Sequence, residues 1–175
     1  MSNQSKSNWC LNSFNYDFRN SALLKLALTH RSYSAENNER LEFLGDAVLD
    51  LVLSDVLFQL YPSVDEGSLS LMRASIVNER SLSTLARQLG INEQIILGEG
   101  ESLSGGQQRD SILANTLEAI VGAIYLDSNF EKIADVIKTI FNDSINSIDP
   151  SSSYKAVSYT HLRAHETSLH LVCRL

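Results

Sequence analysis

The chain has 175 residues, 43% hydrophobic and 20% charged, with 14 Lys and Arg against 21 Asp and Glu. That composition suits one domain with a real core and excludes collagen-like, low-complexity and disordered classes. The net charge of −7 excludes a surface that attracts nucleic acid everywhere, although it leaves room for a local basic patch.

Residues 1–15 are Ser- and Asn-rich and read as a loose N-terminus; nothing from Met1 to Trp9 resembles a signal peptide. Leu23, Leu24, Leu26, Ala27 and Leu28 predict a short apolar helix that runs out near His30. A long helix is expected from about Asn38 to Tyr61, stopped by Pro62. Asp65 to Ser68 reads as a loop and N-cap, opening a helix with Leu69, Met72, Ile76 and Val77 on one side. Leu82, Leu85, Ala86 and Leu89 continue that helix to Gly90. Gly98 to Gly106 is a Gly- and Ser-rich loop, followed by helices over Ser111 to Leu126 and Phe130 to Ile148. No useful length of the chain alternates like a half-buried strand, so the expected fold class is all-α. No apolar run is long enough to span a bilayer, which implies no membrane partner. Cys10 and Cys173 make neither a disulfide framework nor a metal spacing, and a reducing, cytoplasmic setting is expected.

The segment after Pro150 breaks the pattern. Residues 150–156 read as the start of a linker, and 157–175 have no clean apolar period and resemble translated sequencing-adapter read-through. His161 and His165 have helical i, i+4 spacing with Cys173 nearby, but a metal site there is discounted with the rest of this non-native tail.

The chemistry lies in the acids. Glu39, Glu42 and Asp46 stand at i, i+3 and i+7 of the long helix, within about 60° of one another on its surface. Asp50 extends the stripe, while Leu41, Phe43, Leu44, Val48, Leu49, Val52 and Leu53 make most of the circumference apolar. A second line, Ser111, Asn115, Glu118 and Gly122, runs along an otherwise apolar helix at i, i+4, i+7 and i+11. Two buried helices with one acidic line each would gather carboxylates that repel unless a cation joins them. All-oxygen donors suit magnesium or manganese rather than zinc. Gly45 and Gly122 permit close backbone approach beside such a site. The competing reading is a solvated acidic face paired with Arg40, Arg73 or Arg80; Asp50 by itself is assigned to it.

Asn38-Glu39-Arg40-Leu41-Glu42-Phe43-Leu44-Gly45-Asp46-Ala47-Val48-Leu49 resembles the signature of the ribonuclease III family. Ala27 to Ser32, Tyr61-Pro62 with Asp65 to Gly67, Ser104 to Gly106 with Arg109 and Ser111, and Ile112 to Ala119 resemble further family segments in the same order. The resemblance spans about Phe18 to Ile148 and is nearest to the bacterial enzymes. It implies a helical, dimer-forming catalytic domain over residues 16–149, a homodimer that cuts double-stranded RNA with Mg2+ (Mn2+ as a possible substitute). The products would be 5′-phosphate and 3′-hydroxyl ends, in rRNA and mRNA processing. It implies Glu42, Asp46, Asn115 and Glu118 as metal ligands, with Asp46 or Glu118 as the base. Glu39 and Glu66 would be supporting acids, and Phe43 would plug a pocket on the partner subunit. Asn115 stands where many members have Asp; an amide carbonyl can still meet magnesium but adds no charge. Bacterial members carry a double-stranded-RNA-binding domain after the catalytic one, and this chain ends where that domain would begin. The alternative is a ribonuclease III-fold protein that binds RNA without cutting.

Leu103-Ser104-Gly105-Gly106-Gln107 copies the signature of ABC-transporter ATPases, yet no Gly-Lys pair exists to build the phosphate loop those proteins need. No nucleotide cofactor is expected. In the nuclease reading this loop is substrate-side, with Arg109 a candidate RNA contact. His30 follows an apolar run and is read as a capping or packing residue.

Overall fold

The structure, a computed structural model, describes residues 3–148. The linker and tail assigned to 150–156 and 157–175 lie outside the described residues. Nine α-helices follow one another among those described: α1 (Asn3–Phe14), α2 (Ser21–Ala27), α3 (Glu39–Leu60), α4 (Glu66–Val77), α5 (Glu79–Gln88), α6 (Glu99–Leu103), α7 (Asp110–Asp127), α8 (Phe130–Ile140) and α9 (Asn142–Asn146). The all-α expectation holds, with one isolated parallel bridge between Thr29 and Ile96.

α7 forms the centre. Leu113, Leu117, Ala119, Ile120, Val121, Ala123 and Ile124 are all fully or almost fully buried, as an all-round apolar helix requires. α3 lies against it with Leu49, Leu53 and Leu57 inward, and α2, α5 and α8 cover further sides. The α3–α7 contact is close because both helices carry glycine there. A Cβ on Gly45 would overlap the Glu118 carbonyl, and one on Gly122 would overlap the Leu41 carbonyl. The backbones therefore touch where the two acidic lines pass, and that contact positions the site.

Four expectations need correction. The loop expected from Gly98 to Gly106 holds α6 over Glu99–Leu103 and opens a 3-10 turn at Gly106–Gln108. Within the loose start expected over residues 1–15, the described residues from Asn3 to Phe14 form α1, which buries Cys10 and Phe14 in the core. Its Trp9 Nε1 donates to the Leu89 carbonyl at 2.8 Å, and Ser13 Oγ shares that acceptor at 3.2 Å, so α1 caps the end of α5. Burial pushes the Cys10 thiol up to about 12, which leaves it a core residue without reactivity. The helix expected from Leu69 to Leu89 is two helices. Asn78 adopts extended backbone between them, and its side chain accepts from Ser81 N at 2.9 Å as the N-cap of α5. The helix expected over Phe130 to Ile148 divides at Phe141, which is buried between α8 and α9.

Other signals act as read. The Asp65 side chain accepts from Ser68 N at 3.0 Å and caps α4. Gly90 turns the chain after α5 in the left-handed region, φ 72°, which favours glycine. Among the described residues no helix is long and apolar enough to cross a membrane.

Candidate active site

Glu42 and Asp46 project from the first turns of α3, and Asn115 and Glu118 from the middle of α7. Each occupies the polar line of its helix at the glycine contact. Glu118 and Glu42 are partly buried, whereas Asp46 is exposed. Among the described residues none of these three acids forms a salt bridge. The predicted convergence is visible in their electrostatics. Burial first, then the charges of Asp46, Glu42 and Asp50, push the Glu118 carboxyl up to about 7. Burial and the neighbouring Glu39 raise Glu42 as well, while a hydrogen bond with the Asn115 side chain pulls the other way. Glu42, Asp46, Asn115 and Glu118 are therefore one cluster, in which negative charge accumulates faster than solvent can screen it.

The set fits a hard divalent cation by chemistry: every donor is oxygen, the charge is excessive, and one carboxyl holds a proton into the neutral range for want of a counter-charge. Among the described residues no group of three or more His, Cys, Asp or Glu side chains is arranged to hold a metal ion, so binding a cation would require these side chains to move together.

The remaining candidates divide between one acid at the edge of the cluster and groups that lie apart from it. Glu39 is exposed and pairs with Arg31 at 3.3 Å. Both line a cleft of about 360 Å³ with His30, Glu42, Ser111 and Asn115, on the open side of the cluster. His30 is held there by its Nδ1, 2.8 Å from Ser32 Oγ, and Ser32 Oγ also accepts from Gly98 N at 3.0 Å. Burial lowers the His30 pKa. The ring braces the loop and is not placed as a base.

Arg109 is half exposed, and its guanidinium pairs with Glu101 at 2.8 Å and reaches Ser104 Oγ at 3.3 Å. Glu66, in the first turn of α4, is not among the charges acting on Glu42 or Glu118. It lines a second, largely apolar cleft of about 570 Å³ with Leu51, Phe58, Val64, Leu69 and Arg73. Phe43 is 80% exposed on α3, one residue from Glu42. Leu51 and Phe58 lie further along the same exposed face.

Asp50 pairs with Arg73 at 3.6 Å, which agrees with its assignment to an ion-paired role. Arg73 was one of the three arginines expected to pair with an acidic face, and it is the one that Asp50 meets. The pairing of Arg31 with Glu39 was not legible in the sequence, because Arg31 lies outside the helix that carries Glu39 and no periodicity links them.

Comparison with known proteins bears directly on this arrangement. The family profile described as Ribonuclease-III-like matches residues 20–144. Ribonuclease 3 of Nitrosomonas europaea is 50% identical over 145 residues, covering 83% of this chain and 59% of the relative. That of Aliivibrio fischeri is 49% identical over 140 residues, covering 80% and 63%. The chain thus spans less than two thirds of the length of these curated relatives. The crystal structure of the nuclease domain of ribonuclease III from Campylobacter jejuni superposes with a TM-score of 0.77 at 41% identity, covering 81% of this chain and 97% of that one. A second structure of that domain, described as showing structural flexibility in a region involved in dimer formation, gives the same TM-score and identity, covering 79% and 97%. With the profile running through both acid-bearing helices, the chain belongs to the ribonuclease III family.

Proposed function

We propose that this chain is the catalytic part of an endoribonuclease that hydrolyses double-stranded RNA with a divalent cation, Mg2+ or Mn2+. The observation that carries the reading is the acid cluster across α3 and α7, with Glu118 held up to about 7. Glu42, Asp46 and Glu118 would hold the ion, with the Asn115 carbonyl at the remaining position. When bound, such an ion supplies a water of lowered pKa and neutralises charge on the leaving oxygen. Asp46 or Glu118 takes the proton of the attacking water. Water oxygen would bond to phosphorus as the bond from phosphorus to the 3′-oxygen breaks, and the departing 3′-oxygen would take a proton from solvent, leaving a 5′-phosphate and a 3′-hydroxyl. Glu39 and Arg31 line the cleft on the open side of the cluster, and Arg109 becomes a phosphate contact once RNA competes with Glu101 for its guanidinium. An acidic chain, with net charge −7, should bind RNA weakly, which calls for low salt in any assay.

The second part of the reading is a homodimer. An exposed Phe43 and a mostly apolar cleft on the same helix make a self-complementary pair, as two-fold symmetry demands. Phe43 of one protomer seated in that cleft of its partner would bring Glu66 toward the acids on either side of Phe43. This gives Glu66 a supporting role across the interface that it does not have within one chain.

The reading is tested with the full chain and a long perfect RNA duplex at low salt, resolved on denaturing gels. Cuts that need Mg2+ or Mn2+, stop with chelator and spare single strands support it. Duplex binding without cuts in either ion would favour a non-cutting RNA-binding protein of this fold. Two variants sharpen the test. Asn115→Asp adds a charged ligand, so half-maximal cleavage should move to lower Mg2+, with the maximal rate kept. A large loss of rate would show that the amide is tuned to its neighbours. Phe43→Ala should weaken the dimer about 100-fold in sedimentation velocity, the scale of a buried aromatic anchor. Unchanged dissociation would place the interface elsewhere.

A further inference from the structure

Arg73 sits on α4, yet its guanidinium is spent on α3. Nε stands 3.6 Å from Asp50 Oδ1, and Nη1 donates to Ser54 Oγ at 2.7 Å. Ser54 Oγ in turn donates to the Asp50 carbonyl at 2.6 Å, so donor and acceptors form one braced unit. Asp50 lies one helical turn beyond Asp46, and its charge is among those that bear on Glu118. On the other side, Arg73 and Ser54 line the apolar cleft beside Leu51 and Phe58. Arg73 and Asp50 side chains are 35% and 39% exposed, so the pair is screened less than one in open solvent.

We propose that Arg73 is a positioning residue of the acid cluster: it pins Asp50 in an ion pair, so that Glu42, Asp46 and Glu118 face cation and substrate without a competing fourth carboxylate. The proposal rests on the reading of that cluster as a cation site. Its physical content is a balance of charges. Asp50 without Arg73 is a free carboxylate one turn from the site, which attracts the ion and offers it a ligand in the wrong place. Without the Asp50 charge, one of the negative charges that bear on Glu118 is gone, and the cluster attracts the ion less. The fork geometry matters, because one guanidinium serves a carboxylate and a hydroxyl at once.

The two single substitutions therefore act in opposite directions, which loss of packing does not produce. Mn2+ binding is measured calorimetrically on the full chain, with thermal melts of each variant. Arg73→Gln should bind Mn2+ about threefold more tightly, and Asp50→Asn about threefold more weakly, the scale of one partly screened charge. The double variant should return near the parent, and Arg73→Gln should cleave more slowly despite its tighter binding. Weaker binding in both single variants, adding in the double, would overturn the proposal, as would an unchanged affinity in Arg73→Gln. Should Arg73→Gln fail to fold, Arg73→Met, which keeps the stem without the charge, carries the sign test: tighter Mn2+ binding supports the proposal, and unchanged or weaker binding overturns it. A parent chain that binds no Mn2+ would instead overturn the cation-site reading, and this proposal with it.

Discussion

Glu118→Gln should lower RNA cleavage by about three orders of magnitude, the scale of losing one preorganised electrostatic group, while making the metal-free protein more stable at neutral pH. The two effects share one cause. Folded Glu118 keeps its proton to about 7, against an ordinary value of 4.5, because burial and then Asp46, Glu42 and Asp50 oppose its charge. Between those two values the native state binds more protons than the unfolded state. A carboxyl raised on folding therefore withdraws stability as pH climbs through that window. Partial exposure of Glu118 trims the size of the effect but not its sign. Gln keeps the shape and one oxygen but cannot ionise. Without metal, the variant should match the parent near pH 5 and melt a few degrees higher near pH 8. Excess Mg2+ should narrow the gap, because the ion binds the parent's native state more strongly. Differential scanning calorimetry at the two pH values, with and without Mg2+, checks the stability half, and a single-turnover cleavage assay checks the other. A Glu118→Gln protein that cuts at the parental rate would remove Glu118 from the site.

Gly45→Ala should be among the most destabilising single substitutions in the chain, costing about 3 kcal/mol or more. The added methyl meets the Glu118 carbonyl and its carbon, with Gly122 N close behind. These are backbone atoms of the central helix, so no side chain can rotate away. Relief requires α3 and α7 to move apart, which opens Leu49, Leu53, Leu117 and Ile120 to poorer packing. The same movement separates Glu42 and Asp46 from Asn115 and Glu118. Activity should therefore fall further than the loss of folded protein explains. Urea denaturation gives the first quantity, and cleavage per folded molecule gives the second. A variant within about 0.5 kcal/mol of the parent would mean that the helices do not meet as closely as described. Gly100, whose Cβ would meet nothing, is the natural control for alanine substitution.

Much of this arrangement was legible beforehand, for identifiable reasons. The expected helix from Asn38 to Tyr61 became Glu39–Leu60, and Ser111 to Leu126 became Asp110–Asp127. Both are long and nearly all-apolar, with clear stops. α1 was missed because Ser and Asn dominate its composition; its stability comes from burying Cys10 and Phe14 and from Trp9 bonding to Leu89, all long-range. The break at Asn78 was missed because the apolar period runs on across it, and only the Asn78 cap on Ser81 marks the boundary.

The same division separates the candidate site into two parts. Sequence by itself determined the family, the helical class and the two acidic lines, because each is written in residue type and spacing along one helix. Tertiary structure alone decided what those lines meet. The glycine contact sets Glu118 against Glu42 and Asp46. Arg73 arrives from α4 to hold Asp50, Glu101 engages Arg109, and Glu66 falls on the apolar cleft beside Arg73. Spacing along one helix records what that helix presents. Packing between helices sets which charges lie close enough for Coulomb's law to act, and that distance determines what the acids can do.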